Sequence, residues 1–414
     1  MVYLYYDIIK IIYDKLDLRS QIKYRQLCCE AYIFDITRCF AATTEKILAN
    51  CSRYITNINV GCDSRLLNIC NFDKITRLDA AFSYIVQSQI NKLNMLTHLN
   101  ISGCLYITNL NHLKHLKVLN IARSNVTQSS IKSLRNLTEL NMCGQSGIYD
   151  LNHLVKLQIL DISMSNMQDS GFNCLKDLRR LRTTRTLVHV ASFTKLQSLD
   201  APYADLLSIP NGLLELHTSI FDQIPLNQLK NLQILHIGNG NHCRRIKSFD
   251  ISGLINLTEL DIMNVPITYF KPNLGLQKLV ASGYNCGLTQ IGIMSLTMLR
   301  TLDVSGNNHV NDVNHLEFLE TLMVGRGCGV NQAGIQKLRN ITYLNVNNNP
   351  RITDLNHLDK LQYLHATGRD CRISRKSISQ LQNLKYLDNF DNNNLRNITV
   401  ANYRKKTSKA CVIL

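Results

Sequence analysis

The four C-terminal residues have the types and order of a lipid-attachment site. They are a cysteine, two aliphatic residues and a final leucine, namely Cys411, Val412, Ile413 and Leu414. Protein prenyltransferases recognise this pattern, and a final leucine favours geranylgeranyl over farnesyl. The thiol of Cys411 would be the nucleophile that accepts the lipid. The sequence therefore predicts a geranylgeranyl group on Cys411, added by a prenyltransferase, that holds the chain on the cytosolic leaflet of a membrane.

A basic segment precedes this cysteine and contains Arg404, Lys405, Lys406 and Lys409. One lipid chain gives only weak, reversible membrane binding, and a basic patch is a common second signal. Each cation close to an anionic membrane surface contributes about 1 kcal/mol. We interpret the segment as a membrane-proximal basic patch, and the alternative is an ordinary solvated tail.

Cysteine usage and the N-terminus indicate the compartment. The 14 cysteines are scattered along 414 residues. Asp7, Lys10 and Asp14 interrupt the N-terminal apolar residues, so we expect no secretory signal here. No apolar run is long enough to span a bilayer. We therefore expect reduced thiols and a cytoplasmic protein that is peripheral on a membrane through its lipid.

A repeat with a period of about 20 residues runs along most of the chain. Its phrase, Leu-x-x-Leu-x-Ile, occurs for example at 96–101, 116–121 and 299–304. This period and spacing predict an α/β solenoid, a leucine-rich-repeat horseshoe of about 17 turns. The residues that mark its register are Ile58, Leu78, Leu99, Leu119, Leu140, Leu160, Leu181, Leu199, Leu216, Leu235, Leu260, Leu279, Leu302, Leu322, Leu344, Leu364 and Leu387.

The spacing of the phrase predicts which positions are buried. In a short strand, the fourth and sixth positions face the core while the third, fifth and seventh face solvent. Adjacent turns must stack, because one turn cannot bury its own leucines. Position nine, occupied by Cys104, Asn307 and Asn349, should bind backbone groups where the chain leaves the strand. The return segments should form short helices on the convex side.

The third and fifth positions predict an acidic concave surface on a chain of net charge +16. A basic chain suggests nucleic-acid binding, but an acidic groove does not suit phosphates. We expect no nucleic acid on this surface; binding through basic return segments remains an alternative. The alternative for some of the aspartates is that they are consensus residues of the fifth position. The acids are Asp79, Glu139, Asp161, Asp200, Glu215, Glu259, Asp261, Asp303 and Asp388, and the bases are Arg77, Arg180, Arg182 and Lys278.

Tyr343, Tyr363 and Tyr386 occupy the third position of three successive turns. Neighbouring strands lie about 5 Å apart, so the three rings should form a column. Tyrosines on such a surface are typical binding anchors, and we predict that they bind a protein substrate. The alternative is that the rings stack to stabilise the last turns.

The tripeptide Asn-His-Leu occurs at 111–113, 152–154, 314–316 and 356–358. The first two copies lie two turns apart, about 10 Å, which is too far for their histidines to share a metal ion. We therefore assign these histidines to a structural position in the return segment. No nucleotide-binding, zinc-protease or other catalytic motif is present. We expect no cofactor, no metal and no enzymatic activity.

Residues 1–40 precede the repeat. Leu4, Ile8, Ile9, Ile12 and Leu16 follow helical spacing. With Asp7 and the later run Arg25-Gln26-Leu27-Cys28, the segment resembles the F-box, although Tyr5 replaces the usual proline and Ala31 stands near the expected tryptophan. The alternative is an amphipathic cap on the first turn.

The chain as a whole resembles prenylated members of the F-box/leucine-rich-repeat family. The segments would be an F-box-like segment at 1–40, a solenoid at 41–398 and a basic tail with the prenylation box at 399–414. The resemblance implies a substrate receptor of a Skp–cullin–F-box ubiquitin ligase, in which the solenoid selects a protein substrate and a cullin–RING module supplies the chemistry. The Skp-type adaptor would contact Leu4, Ile8, Ile9, Ile12 and Leu16. The alternative is a prenylated interaction scaffold without a ligase role.

Overall fold

The computed structural model describes residues 57–59, 74–184, 188–202, 206–219, 226–237, 248–267, 269–271, 275–396 and 398–400. The F-box-like segment 1–40 lies outside the described residues, as do Cys411 and the basic residues Arg404, Lys405, Lys406 and Lys409. Their roles, and the proposed segment boundaries, stay predictions. The chain divides into two compact units, Met1–Thr186 and Leu187–Leu414, and each is described by itself.

The first unit contains a ladder of short strands. Consecutive strands pair in parallel, with the register residues aligned from Ile58 and Leu78 through to Leu160 and Leu181. The strands are β1 Asn57–Asn59, β2 Arg77–Asp79, β3 His98–Asn100, β4 Val118–Asn120, β5 Glu139–Asn141, β6 Ile159–Asp161 and β7 Arg180–Arg182.

The second unit contains a longer parallel ladder and two smaller parallel pairs. The ladder strands are β9 Ser198–Ala201, β11 Glu215–Thr218, β12 Ile234–Ile237, β14 Glu259–Asp261, β16 Lys278–Val280, β17 Thr301–Asp303, β18 Thr321–Met323, β19 Tyr343–Asn345, β20 Tyr363–His365 and β21 Tyr386–Asp388. The small pairs are β8 Val188–His189 with β10 Leu206–Ser208, and β13 Ser248–Asp250 with β15 Tyr269–Lys271.

The predicted register is confirmed in both units. Each of the marking residues lies inside one ladder strand, and residues such as Leu99 and Leu344 are buried. The sixth position is buried as well, for example at Ile101 and Val346. Alternation along a strand points these side chains to one side, so stacking the turns builds a continuous leucine and isoleucine core.

Many of the described return segments contain a short helix, as predicted, and most of these are 3-10 turns. Two short α-helices are described, α1 Gln87–Ile90 and α2 Gln290–Met294. A repeat of about 20 residues leaves little room for a helix, and a 3-10 turn needs fewer residues. Seven further return segments contain 3-10 turns, at Gln128–Ser130, Asp169–Gly171, Val190–Ser192, Leu226–Gln228, Ala333–Ile335, Lys376–Ile378 and Asn393–Leu395.

Position nine binds backbone groups, as predicted. The amide nitrogen of Asn349 donates to the carbonyl oxygens of Val324 (2.7 Å) and Val330 (3.4 Å), and its oxygen accepts from the backbone N–H of Arg351 at 2.9 Å. Asn307 makes the equivalent contacts. In the first unit the Cys104 thiol donates to the carbonyl oxygen of Ala80 at 2.9 Å. These side chains satisfy carbonyls that no strand partner reaches.

Asn-His pairs connect each of their turns to both neighbours. The Nε2 atom of His357 lies 3.0 Å from the carbonyl oxygen of Ile335 in the preceding turn. Asn356 donates to the carbonyl oxygen of Lys376 (2.9 Å) and accepts from the backbone N–H of Gln380 (2.8 Å) in the following turn. The histidines of the other three pairs, His112, His153 and His315, have the same kind of contact.

Glutamines occupy the turns that precede the Asn-His turns. The side-chain oxygen of Gln332 accepts from the backbone N–H groups of Thr353 and Asp354, both at 2.9 Å, and its nitrogen donates to the Asp354 carbonyl oxygen at 2.9 Å. The same three contacts are made by Gln87, Gln128 and Gln290. Around these residues, glutamine turns and Asn-His turns therefore alternate.

Candidate interaction surface

The solvent-facing side of the second ladder carries the candidate site. We call it the ladder face, and it consists of the third- and fifth-position side chains of the ladder strands. Strand alternation exposes these residues to various degrees while the central leucine between them stays buried. The ladder face is therefore a regular grid on which sequence position determines which side chains are neighbours.

The three predicted tyrosines form a column on β19 to β21. Tyr343 pairs in register with Tyr363, and Tyr363 pairs with Tyr386. The ring centroids of Tyr363 and Tyr386 lie 6.5 Å apart with their planes tilted by 36°. These two side chains remain 43% and 46% exposed, respectively. Nearly half of each residue's surface is thus open to a partner.

His365 joins Tyr343 to this pair. Its ring centroid lies 5.3 Å from that of Tyr343 and 5.2 Å from that of Tyr386. Its Nδ1 atom lies 3.2 Å from Oδ2 of Asp388. His365 occupies the fifth position of its turn, so the repeat register contained the signal for it. Sequence reasoning named the tyrosines and Asp388 but missed this histidine, because its importance depends on side-chain directions across two strands.

Tyr343, at one end of the column, is kept neutral by its surroundings. Burial raises the pKa of the Tyr343 phenol, and the nearby Tyr386, Asp303 and Asp388 raise it further. A phenol with a raised pKa retains its proton, so Tyr343 presents an O–H group and an uncharged ring at neutral pH.

Aspartates at the fifth position have a structural role that sequence reasoning had allowed for. The Oδ1 atom of Asp303 accepts from the backbone N–H of Ser305 at 2.9 Å, and Asp261 binds Met263 in the same way. Asp388 makes a longer contact of 3.3 Å with Phe390. One oxygen of each carboxylate therefore binds the backbone where the chain leaves the strand. The negative charge of the group remains on the ladder face.

The charge of the ladder face changes along the second unit. From β17 to β21 it contains acids and aromatic groups but no lysine or arginine. The residues there are Thr301, Asp303, Thr321, Met323, Tyr343, Asn345, Tyr363, His365, Tyr386 and Asp388.

A separate polar cluster lies on β11 to β16. Glu259 contacts Lys278 at 2.6 Å and Nε2 of His236 at 2.9 Å, and His236 stacks on His217 with centroids 4.2 Å apart. Burial raises the pKa of Glu259, but the hydrogen bonds from Lys278 and His236 outweigh it and lower that pKa overall. Burial, then His236, lowers the pKa of His217. In this polar cluster the carboxylate of Glu259 is paired with both Lys278 and His236.

In the first unit, acids and bases are interleaved on the strands. Arg77 and Asp79 lie on β2, Glu139 on β5, and Arg180 and Arg182 on β7. All the acids and bases predicted for the concave surface are ladder-strand residues, which confirms their positions. Because they are mixed, the described strands β1 to β7 carry no patch comparable to the tyrosine column.

Within the part of the chain that the structure describes, no cluster of three or more His, Cys, Asp and Glu side chains is arranged to hold a metal ion. None of the described helices is both long and apolar enough to cross a membrane.

Comparisons with known proteins identify the fold. No protein-family model and no curated protein sequence matches the chain. A leucine-rich-repeat protein of Leptospira interrogans, LIC12759, has a TM-score of 0.51 and 17% identity, covering 89% of this chain and 98% of that one. The mouse RP105/MD-1 complex gives 0.52 and 15%, covering 84% and 69%. The TLR13–ssRNA13 complex gives 0.53 and 15%, covering 83% and 62%.

These similarities show the fold of the chain, but not its partners or its activity. The chain is a parallel-strand solenoid of the leucine-rich-repeat fold. Identities of 15 to 17% are too low to carry partners or activities from one protein to another.

Proposed function

We propose that the protein is a membrane-tethered substrate-recognition subunit of a Skp–cullin–F-box ubiquitin ligase that holds a protein substrate on its ladder face. The observation that carries the binding part is the column of Tyr343, Tyr363 and Tyr386, in which Tyr363 and Tyr386 are exposed. Tyrosine gives a large contact area at a low entropic cost of ordering, which suits a recognition surface. In this proposal the chain itself is not an enzyme and selects the protein that the ligase modifies.

Known complexes of the same fold support a binding role. One similar structure is the RP105/MD-1 complex and another is the TLR13–ssRNA13 complex. For this chain, the acids Asp303 and Asp388 beside the tyrosines favour a protein over a nucleic acid, since a phosphate backbone would be repelled. The proposed partner is therefore a protein.

The ligase part of the proposal is supported by Leu4, Ile8, Ile9, Ile12 and Leu16 in their F-box-like order. The test is co-purification of the full chain with a Skp-type adaptor and cullin. Wild type should retain the adaptor, and the double variant Ile8→Asp/Ile12→Asp should lose it. Lys10→Asp, at a polar position of the same segment, is the matched control and should bind normally. Absence of the adaptor from the wild-type protein would refute the ligase role.

The tether is supported by Cys411 and the basic residues before it. Cys411→Ser should move the protein from the membrane fraction to the soluble fraction, because no thiol remains at the prenylation site. Neutralising the four basic residues to glutamine should weaken membrane association without abolishing lipid attachment. Cys174→Ser is the control, and it should leave fractionation unchanged. Persistent membrane association of Cys411→Ser would contradict the tether.

The alternative is a prenylated interaction scaffold without a ligase role. The specific observation in its favour is that Tyr5 and Ala31 depart from the F-box pattern. It predicts membrane fractionation that depends on Cys411 together with no adaptor in the purified complex. The two experiments above therefore separate the two functions.

A further inference from the structure

We propose that the ladder face from β17 to β21 binds an extended, arginine-bearing segment of a protein partner. We call this region the tyrosine–aspartate surface; it is formed by Tyr343, Tyr363, Tyr386, Asp303 and Asp388. The inference rests on the protein-binding part of the proposed function and adds the chemistry of the partner. It does not depend on the adaptor or on the lipid.

The tyrosine rings supply the first recognition element. The faces of aromatic rings carry negative electrostatic potential and attract cations placed over them. The rings of Tyr363 and Tyr386 are tilted by 36° with centroids 6.5 Å apart, and both residues are nearly half exposed. A planar guanidinium stacks on such rings better than an ammonium does.

The aspartates supply the second element. Asp303 and Asp388 lie at the two ends of the surface, and Oδ1 of each accepts a backbone hydrogen bond. Within the described strands β17 to β21, no lysine or arginine stands at a ladder-face position to neutralise them. Arginine fits such a site, because its N–H groups form charge-assisted bonds to carboxylates.

The net charge of the chain strengthens the argument. At +16 the molecule as a whole repels a cationic ligand, so any attraction must come from local groups. Binding of a basic peptide to this protein would therefore report local acidic and aromatic groups and not general electrostatic attraction, and the variants below test whether those groups are the tyrosine–aspartate surface.

The dimensions indicate the length of the partner segment. Asp303 and Asp388 lie on strands four spacings apart, about 19 Å at the usual distance between strands. An extended chain advances about 3.3 Å per residue, so roughly six residues span the surface. Side chains on one face of that chain recur about every 6.6 Å. Arginines at alternate positions could then reach both an aspartate and the tyrosine column.

The experiment uses the full chain and a fluorescein-labelled hexapeptide, Gly-Arg-Ser-Arg-Gly-Arg, in fluorescence anisotropy. Two matched peptides replace every arginine with lysine or with glutamate. We expect saturable binding of the arginine peptide, binding of the lysine peptide weaker by about threefold, and none of the glutamate peptide. Equal binding of all three peptides, or no binding of the arginine peptide, would overturn the proposal.

Variants locate the binding site. Tyr363→Ala/Tyr386→Ala should weaken binding of the arginine peptide by about tenfold. Tyr149→Ala is the matched control, because Tyr149 is 69% exposed but lies off the ladder strands. Asp388→Asn keeps an oxygen for the backbone contact while removing the charge, so it should weaken binding without altering the fold. Unchanged affinity in both ladder-face variants would refute the assignment.

The outcomes distinguish this inference from the function on which it rests. If the wild-type chain co-purifies with the adaptor but does not bind the arginine peptide, only the proposal of an arginine-bearing partner is rejected. Peptide binding by a chain that co-purifies without the adaptor would support the surface while rejecting the ligase role. Thermal unfolding followed by circular dichroism checks that each variant is folded, and if the tyrosine variant is not, Asp388→Asn decides.

Discussion

The Nε2 atom of His357 lies 3.0 Å from the carbonyl oxygen of Ile335, one turn earlier in the ladder. The neighbouring Asn356 binds the turn that follows. Two consecutive side chains thus connect three turns through backbone groups. This contact explains why histidine recurs in the Asn-His-Leu tripeptide.

Replacing His357 should destabilise the second unit. His357→Leu leaves the Ile335 carbonyl oxygen without its donor, which should lower the free energy of unfolding by about 1–2 kcal/mol. Urea unfolding followed by circular dichroism measures the change. His309→Leu is the control, because the His309 side chain is exposed, and it should be close to neutral. Equal effects of the two substitutions would contradict the role of the contact.

The same histidine predicts a dependence on pH. Burial lowers the pKa of His357 below its ordinary value of 6.5, although the hydrogen bond to Ile335 opposes this shift. The unfolded chain therefore takes up a proton before the folded chain does. The stability contribution is complete above pH 6.5 and falls as the pH decreases through the lower, folded pKa. His357→Gln should remove this part of the pH dependence. A variant whose unfolding retains the wild-type pH slope would contradict the prediction.

Asn349 should be more important than an exposed asparagine. Its side chain is buried and bonds to Val324, Val330 and Arg351. Asn349→Ala leaves these buried groups unpaired and should cost about 2–3 kcal/mol of unfolding free energy. The control is Asn308→Ala, at an exposed position next to Asn307, which is the equivalent of Asn349 in another turn. It should change the urea midpoint little. The prediction is wrong if both variants unfold at the wild-type midpoint.

Two glycines of the second unit should respond differently to alanine. Gly283 has a φ of +97°, and an added Cβ would meet the side chain of Asn264. Gly283→Ala should therefore destabilise the unit by about 1–3 kcal/mol. A Cβ on Gly212 would meet nothing closer than 3.8 Å, so Gly212→Ala should be neutral or stabilising by about 0.5 kcal/mol. Thermal unfolding tests the order of the two variants, and the reverse order would contradict it.

Thiol reactivity should separate exposed from buried cysteines. Burial raises the pKa of the Cys286 and Cys328 thiols to about 11, whereas Cys174 is exposed. Because the thiolate is the reactive form, iodoacetamide at pH 8 should modify Cys174 at least about 100-fold faster than the buried pair. Peptide mass spectrometry gives the rate for each residue. All three should react alike in urea, and equal rates in the native protein would oppose the described packing.

The regular features of this fold could be predicted from sequence, and the lateral contacts could not. A period of about 20 residues is sufficient to place Leu344 in the core and Tyr343 on the surface. The position of His365 between two tyrosines depends on ring directions across strands, which periodicity does not determine. The alternation of Gln332 with Asn356 and His357 is visible in the sequence at twice the basic period. A search for single turns overlooks it.

The alternation of glutamine turns and Asn-His turns has a consequence for how such a chain can change length. A pair of turns contains both the side-chain donors and the backbone groups that accept their hydrogen bonds. Inserting or deleting a whole pair therefore keeps each of these hydrogen bonds. Removing one turn places two turns of the same kind side by side. Their side chains then face backbone N–H and carbonyl groups that are not positioned to bind them. In the stretches where glutamine turns and Asn-His turns alternate, the repeating unit is therefore the pair of turns, and versions shortened there should lose whole pairs.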